Sequence, residues 1–193
     1  MKSYNLLLLL LIIASCTPPV KIVDDRPTEE LTLINKFHVA DSLYSGEENA
    51  IKKNEIYDKQ HAQVAKLIVD TLHAKAVQWQ ATLYQIELKS YPVDYIEATL
   101  LVTPKIYLDD DQKYPDLSNI VLSARVLPDN TIIKDKLKDL LKGDRVLITG
   151  SFEKNKTGDI EFTSNGDDKD YAFSNPKLDF KIESITKITK KLQ

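Results

Sequence analysis

Residues 131–153, TIIKDKLKDLLKGDRVLITGSFE, constrain the fold more than any other stretch, because within them the hydrophobic period changes once, from helical to extended. Ile133, Leu137, Leu140 and Leu141 fall at i, i+4, i+7 and i+8 and line one face of a short helix, with Lys134, Lys136, Lys138 and Lys142 largely off it. A helix with a single apolar face has to pack on something. Gly143 follows the last periodic residue, where a residue without Cβ takes the left-handed cap conformation most cheaply, and Lys142 suits the negative end of the helix dipole. From Arg145 the period drops to two, with Val146, Ile148, Gly150 and Phe152 on one side and Arg145, Leu147, Thr149 and Ser151 on the other. The stretch therefore predicts a helix, its stop and a strand.

Upstream, Leu33, Phe37, Ala40 and Tyr44 recur at helical spacing. Ser45-Gly46-Glu47-Glu48 reads as a capping box that opens a longer helix, whose Tyr57, His61, Val64, Ala65, Ile68 and Leu72 share one face up to about Ala74. Residues 29–75 thus form a helical segment. Val77, Trp79, Ala81 and Leu83 then alternate with Gln78, Gln80, Thr82 and Tyr84, after which Ile86 and Leu88 carry the apolar parity onto the other side. A bulge near Tyr84 or Gln85 explains the slip. Tyr91-Pro92 marks a turn into Ile96, Ala98, Leu100 and Val102, set against Tyr95, Glu97, Thr99 and Leu101, so the two runs read as a hairpin. An acidic connection around Asp109, Asp110, Asp111 and Asp116 leads to a third strand, with Ile120, Leu122, Ala124 and Val126 opposite Val121, Ser123 and Arg125, stopped by Pro128-Asp129-Asn130. Beyond the organising stretch come a polar turn at residues 155–158, a short strand at Ile160 and Phe162, an acidic loop with Asp167, Asp168 and Asp170, and the alternation Leu178, Phe180, Ile182.

Three strands, a helix, then two or more strands is the element order of the OB-fold, in which the helix plugs a Greek-key barrel between strands three and four. The expected class is α+β: an N-terminal helical segment followed by a five-stranded OB-like barrel over residues 76–193, with one helix between strands 3 and 4. Over residues 76–188 the chain resembles the anticodon-binding-like OB modules of exported bacterial proteins, through this order and through LLKGDRVLITG (residues 140–150) at the helix-to-fourth-strand passage. That passage is a structural device. The resemblance transfers no functional residue and implies nothing about tRNA.

The N-terminus carries an address. Lys2 precedes an uninterrupted apolar run from Leu6 to Ile13, too short for the roughly 20 residues that span a bilayer as a helix. The run ends in Ile13-Ala14-Ser15-Cys16, which resembles the lipobox of bacterial lipoprotein precursors: an aliphatic residue, two small ones, then cysteine. The resemblance implies a signal peptide at residues 1–15, removal of that peptide, and fatty acylation of Cys16, with palmitate among the acyl chains. Cys16 is the single cysteine of the chain, so the body has no disulfide to lean on. Family sorting rules imply an outer-membrane destination in the bacterial cell envelope, facing the periplasm or the cell surface, because Thr17 rather than Asp follows the cysteine. Residues 16–28 are proline-rich and non-periodic and read as a lipidated tether, reaching roughly 40 Å when extended.

Chemistry is sparse. His38, His61 and His73 show neither the i,i+4 pair of a zinc helix nor a carboxylate at ligand spacing, and read as surface or helix-face residues. Counting a calcium loop from Asp109 places Tyr114 and Ile120 where Gly and Glu are needed, so the acidic loops read as solvated. The chain has no Gly-x-Ser-x-Gly elbow or phosphate-cradling glycine loop, and five glycines leave little room for one. We therefore expect no enzyme, no cofactor and no metal. A formal net charge of -3 argues against a polyanion, so nucleic acid is a disfavoured partner. Small barrels of this kind bind on the outward face of strands two and three. Here that face carries Tyr95, Glu97, Thr99, Ser123 and Arg125, mixed rather than basic, with the acids of the Asp167–Asp170 loop expected near its rim. Trp79, Tyr84 and Tyr95 are expected to pack rather than to stack on a ligand. The expected function is a membrane-anchored, non-catalytic binding or scaffold module that meets an envelope protein or peptide. The alternatives are an OB-type binder of a small ligand or single-stranded nucleic acid, and an envelope hydrolase whose site the sequence does not mark.

Overall fold

The computed structural model describes residues 24–90, 93–103, 119–164 and 169–189, so the leader at 1–15, Cys16 and Asp109 to Asp111 lie outside the described residues. The described chain is a mixed α+β fold of three α-helices and a six-stranded sheet. Helix α1 (Thr28–Ser45) and helix α2 (Ala50–Lys66) come first, and α2 continues into a π turn (Leu67–Thr71). Strands β1 (Lys75–Lys89), β2 (Tyr95–Val102) and β3 (Ile120–Val126) precede helix α3 (Thr131–Lys138). Strands β4 (Arg145–Phe152), β5 (Phe162–Ser164) and β6 (Pro176–Lys187) follow. No helix among the described residues is long and apolar enough to cross a membrane.

Neighbouring strands run in the order β3-β2-β1-β4-β6-β5, and β3 also pairs with β6. The pairings are antiparallel except β3 with β6, which is parallel in the register Leu122 to Leu178 and Ala124 to Phe180. β1, β2, β3 and β4 therefore each have two paired neighbours, and β6 has three. The expected barrel has five strands and the described sheet has six; the short strand expected around Ile160 and Phe162 is β5, which pairs along its three residues with the start of β6.

The helices and the sheet share one core. Leu33, Phe37, Ala40 and Tyr44 of α1, with Val64 of α2, Ile68 of the π turn and Leu72 just after it, lie in the same buried cluster as Trp79, Leu100, Leu122, Ile148 and Phe180. Aromatic edges knit the joint: Phe37 meets Phe162 at 5.1 Å, and Tyr44 and Tyr57 meet Phe173 at 5.7 and 5.5 Å. A polar bolt fastens the start of α1. Buried Arg26 donates from Nε and Nη2 to the Asp24 carboxylate (3.0 and 2.8 Å) and from Nη1 to the Thr103 carbonyl (2.6 Å). Glu30, wholly buried, accepts from the Gln80 amide at 2.9 Å. Asp24 and Arg26, expected in the tether, thus belong to the folded body.

Several local expectations need correction. Asn49, not Ser45, caps α2, its side chain accepting from the amides of Ile51 and Lys52, while the Ser45 hydroxyl donates back to Asp41 within α1. α3 ends at Lys138, so Leu140 is buried but Leu141 is exposed. Gly143 is left-handed (φ 91°) in the turn into β4 rather than as the helix cap. Val77 is also exposed, because the β1–β4 register breaks between Ala76 and Trp79 where Gln78 sits at φ 57°; Ala76 takes the inward place. The β4 parity is as expected, with Val146, Ile148, Gly150 and Phe152 all buried. So is the irregularity between Leu83 and Gln85.

Candidate binding face

β2 and β3 pair antiparallel in unbroken register, which fixes who stands beside whom: Glu97 opposite Arg125 and Thr99 opposite Ser123. Their alternate residues Ala98, Leu100, Leu122 and Ala124 are buried, so the other parity faces out. Tyr95, Glu97, Thr99, Ser123 and Arg125 therefore share one outward face, where the sequence expected them. The Arg125 guanidinium lies over the Tyr95 ring, 4.5 Å from its centre. The Ser123 hydroxyl donates to Glu97 Oε1 at 2.8 Å. At the far end of the same strands Leu101 and Val121 are buried, so the exposed part of the face is the half nearer the β1–β2 turn.

The sequence missed the contribution of β1. Past its bulge, β1 sets Gln85 beside Thr99, Glu87 beside Glu97 and Lys89 beside Tyr95, so three more polar side chains widen the face. The parity slip at Ile86 was the signal for them. Lys89 ion-pairs with Glu87 and lies 3.9 Å from Glu97, and the bond to Glu87 holds its ammonium above the usual lysine range. From β6, Asp179 stands beside Ser123 and Lys177 beside Val121. The face carries both acids and bases, with Glu87 beside Glu97, and offers no concentrated positive field of the kind a phosphate backbone needs. Among the described residues no cluster of three or more His, Cys, Asp or Glu could hold a metal ion.

The acidic loop does not border this face where it can be seen. Asp167 and Asp168 lie outside the described residues. Asp170 accepts from the Tyr44 hydroxyl and pairs with Lys53, both at 3.0 Å, on the helical side, and these partners hold its carboxyl below the usual range. Trp79 is buried at 1 % exposure against Phe152, and Tyr84 carries Lys142 over its ring.

Apart from this face, a concavity of about 340 Å³ lies between α2 and β5, lined by Tyr57, Asp58, His61, Ala62, Glu161, Phe162 and Thr163. Its floor is one interaction: the His61 ring stacks on Phe162 (4.1 Å between centres, 16° between planes) and Nε2 donates to the Phe162 carbonyl at 3.2 Å. His61 thereby satisfies a backbone acceptor on the short strand β5. His38 and His73 are exposed and stand apart from it. Comparisons of the chain with protein-family models, with curated proteins and with solved structures found no significant match.

Proposed function

We propose that this protein is a lipid-anchored, non-catalytic binding or scaffold lipoprotein of the bacterial cell envelope, whose β2–β3 face meets a protein or peptide. The observation that supports this reading most is the joining, on one outward face, of the Arg125–Tyr95 stack and the Ser123–Glu97 bond with charges of both signs around them. Such a surface offers a polar peptide partners for its amides and side chains while giving a polyanion little to neutralise. We read the ring of pairings through β1, β2, β3, β6 and β4, with α3 between β3 and β4, as an OB-type barrel, which supports the choice of face. Ile13-Ala14-Ser15-Cys16 supports acylation at Cys16 as the anchor, several acyl chains giving stable membrane attachment.

Two experiments test the reading. The tagged full chain, solubilised in detergent with its envelope, should recover a protein partner, and Tyr95→Ala with Arg125→Ala should reduce that recovery about tenfold or more, the scale of losing one central aromatic–arginine anchor. Undiminished recovery by the double variant would count against the face. A salt-sensitive complex with single-stranded DNA or RNA would instead favour the nucleic-acid alternative. Metabolic labelling with a fatty acid should mark the wild-type chain and not Cys16→Ala; equal labelling would remove the anchor.

A further inference from the structure

Strand β1 outruns one of its two neighbours. Its pairing with β4 stops at Thr82 opposite Arg145, with one further contact in which Leu83 exchanges backbone bonds with Asp144 and Gly143. Its pairing with β2 continues to Lys89 opposite Tyr95. From Gln85 to Lys89 the edge of β1 away from β2 has no strand beside it among the described residues. The side chains there are open too: Leu88 is 82 % exposed and Ile86 is 37 % exposed. A long edge with an exposed leucine is a template for strand addition, which proteins normally guard with charges that repel a second strand.

Here the charges do the reverse. We propose that the end of β1 from Ile86, with Ser90 beyond it, pairs antiparallel with the same residues of a second copy, about a two-fold axis through Leu88. In an antiparallel pair, residues directly opposite share a face, so only registers that set a residue opposite itself keep Glu87 and Lys89 of both copies in one polar row. Centring on Glu87 sets two carboxylates against each other, and centring on Lys89 sets two ammonium groups together. Centring on Leu88 sets Leu88 on Leu88 and each Glu87 opposite the other copy's Lys89, twice over. Glu87 and Lys89 already ion-pair within one copy, so the dimer closes a cluster of four alternating charges. The pairing also joins two β2–β3 faces into one surface, since Glu87 and Lys89 border that face in each copy. The contact is isologous, as two-fold dimers require.

Sedimentation of the full chain in detergent micelles, over a range of chain concentrations, tests this. Wild type should pass from monomer to dimer. Leu88→Lys, Glu87→Lys and Lys89→Glu, each at an exposed or half-exposed position, should keep the wild-type melting curve. Each should weaken dimerisation roughly tenfold or more, because like charges then oppose one another across the strands. An equimolar mixture of Glu87→Lys and Lys89→Glu should restore a dimer at the wild-type concentration, a rescue that no contact inside one copy can give. Wild type that stays monomeric, a dimer indifferent to Leu88→Lys, or a mixture that behaves as two separate monomers would each overturn the proposal.

Discussion

Replacing Glu30 by Gln should remove a pH dependence of stability that the wild-type chain carries between about pH 4.5 and 7. The Glu30 side chain is fully buried at the start of α1, where its carboxylate accepts the Gln80 amide and stands 3.4 Å from Arg26. Arg26 has already committed its forked face to Asp24, so one cation serves two acids and the longer contact is left to Glu30. Burial outweighs these attractions and pushes the Glu30 carboxyl up from 4.5 to about 7. A carboxyl whose folded pKa lies above its unfolded one holds its proton more tightly in the native state. The stability it lends is therefore complete below about pH 4.5 and is lost as pH rises to 7, amounting to about 3 kcal/mol at 1.36 kcal/mol per unit. Gln keeps an acceptor for the Gln80 amide and cannot titrate. Urea unfolding of the full chain, followed by circular dichroism at intervals from pH 4 to 8, should show the wild type losing about 3 kcal/mol more than Glu30→Gln across that window. Parallel profiles for the two chains, or a wild type that gains stability relative to the variant as pH rises, would refute the reasoning.

Other substitutions probe the core and the bends. Leu137→Asp, at 2 % exposure on the buried side of α3, should cost about 4 kcal/mol or more by burying an unpaired charge, whereas the exposed neighbour Lys136→Ala should stay within about 0.5 kcal/mol; thermal melts of both decide it. Gly150→Ala should destabilise by about 3 kcal/mol, because a Cβ there would sit 2.1 Å from the Lys181 carbonyl and 2.7 Å from the Phe180 ring, forcing β4 and β6 apart. Gln78→Gly should raise stability by up to about 1 kcal/mol in the same melts, since an exposed non-glycine residue is held there at φ 57°.

These residues also show what the sequence could tell. The period-two run of β4 and the slip at Tyr84 were legible because side-chain alternation is local, and each buried position there leaves an apolar letter in the chain. Val77 misled because the backbone turns over at Gln78, and glutamine carries no mark of a positive φ as glycine would. Leu141 misled because a helical period can persist past the last helical turn; the Asp144 side chain takes the Leu141 amide and bends the chain into β4. The bolt of Arg26 and Glu30 on Gln80 and Thr103 joins residues separated by fifty positions or more, which no short pattern encodes. The five expected face residues came together because β2 and β3 pair without a bulge, and Gln85, Glu87 and Lys89 were missed because the register past the β1 bulge is set by pairing rather than by composition.

The claim that the β2–β3 face is the contact surface is tested most directly by a photo-crosslinking residue placed at Thr99, at its centre, and, as a control, at the exposed position Glu183 on β6. Both chains are expressed at full length and irradiated in intact envelopes. The account predicts a discrete protein adduct from Thr99 and none of that mass from Glu183. The same adduct from both positions, or an adduct from Glu183 alone, would contradict it.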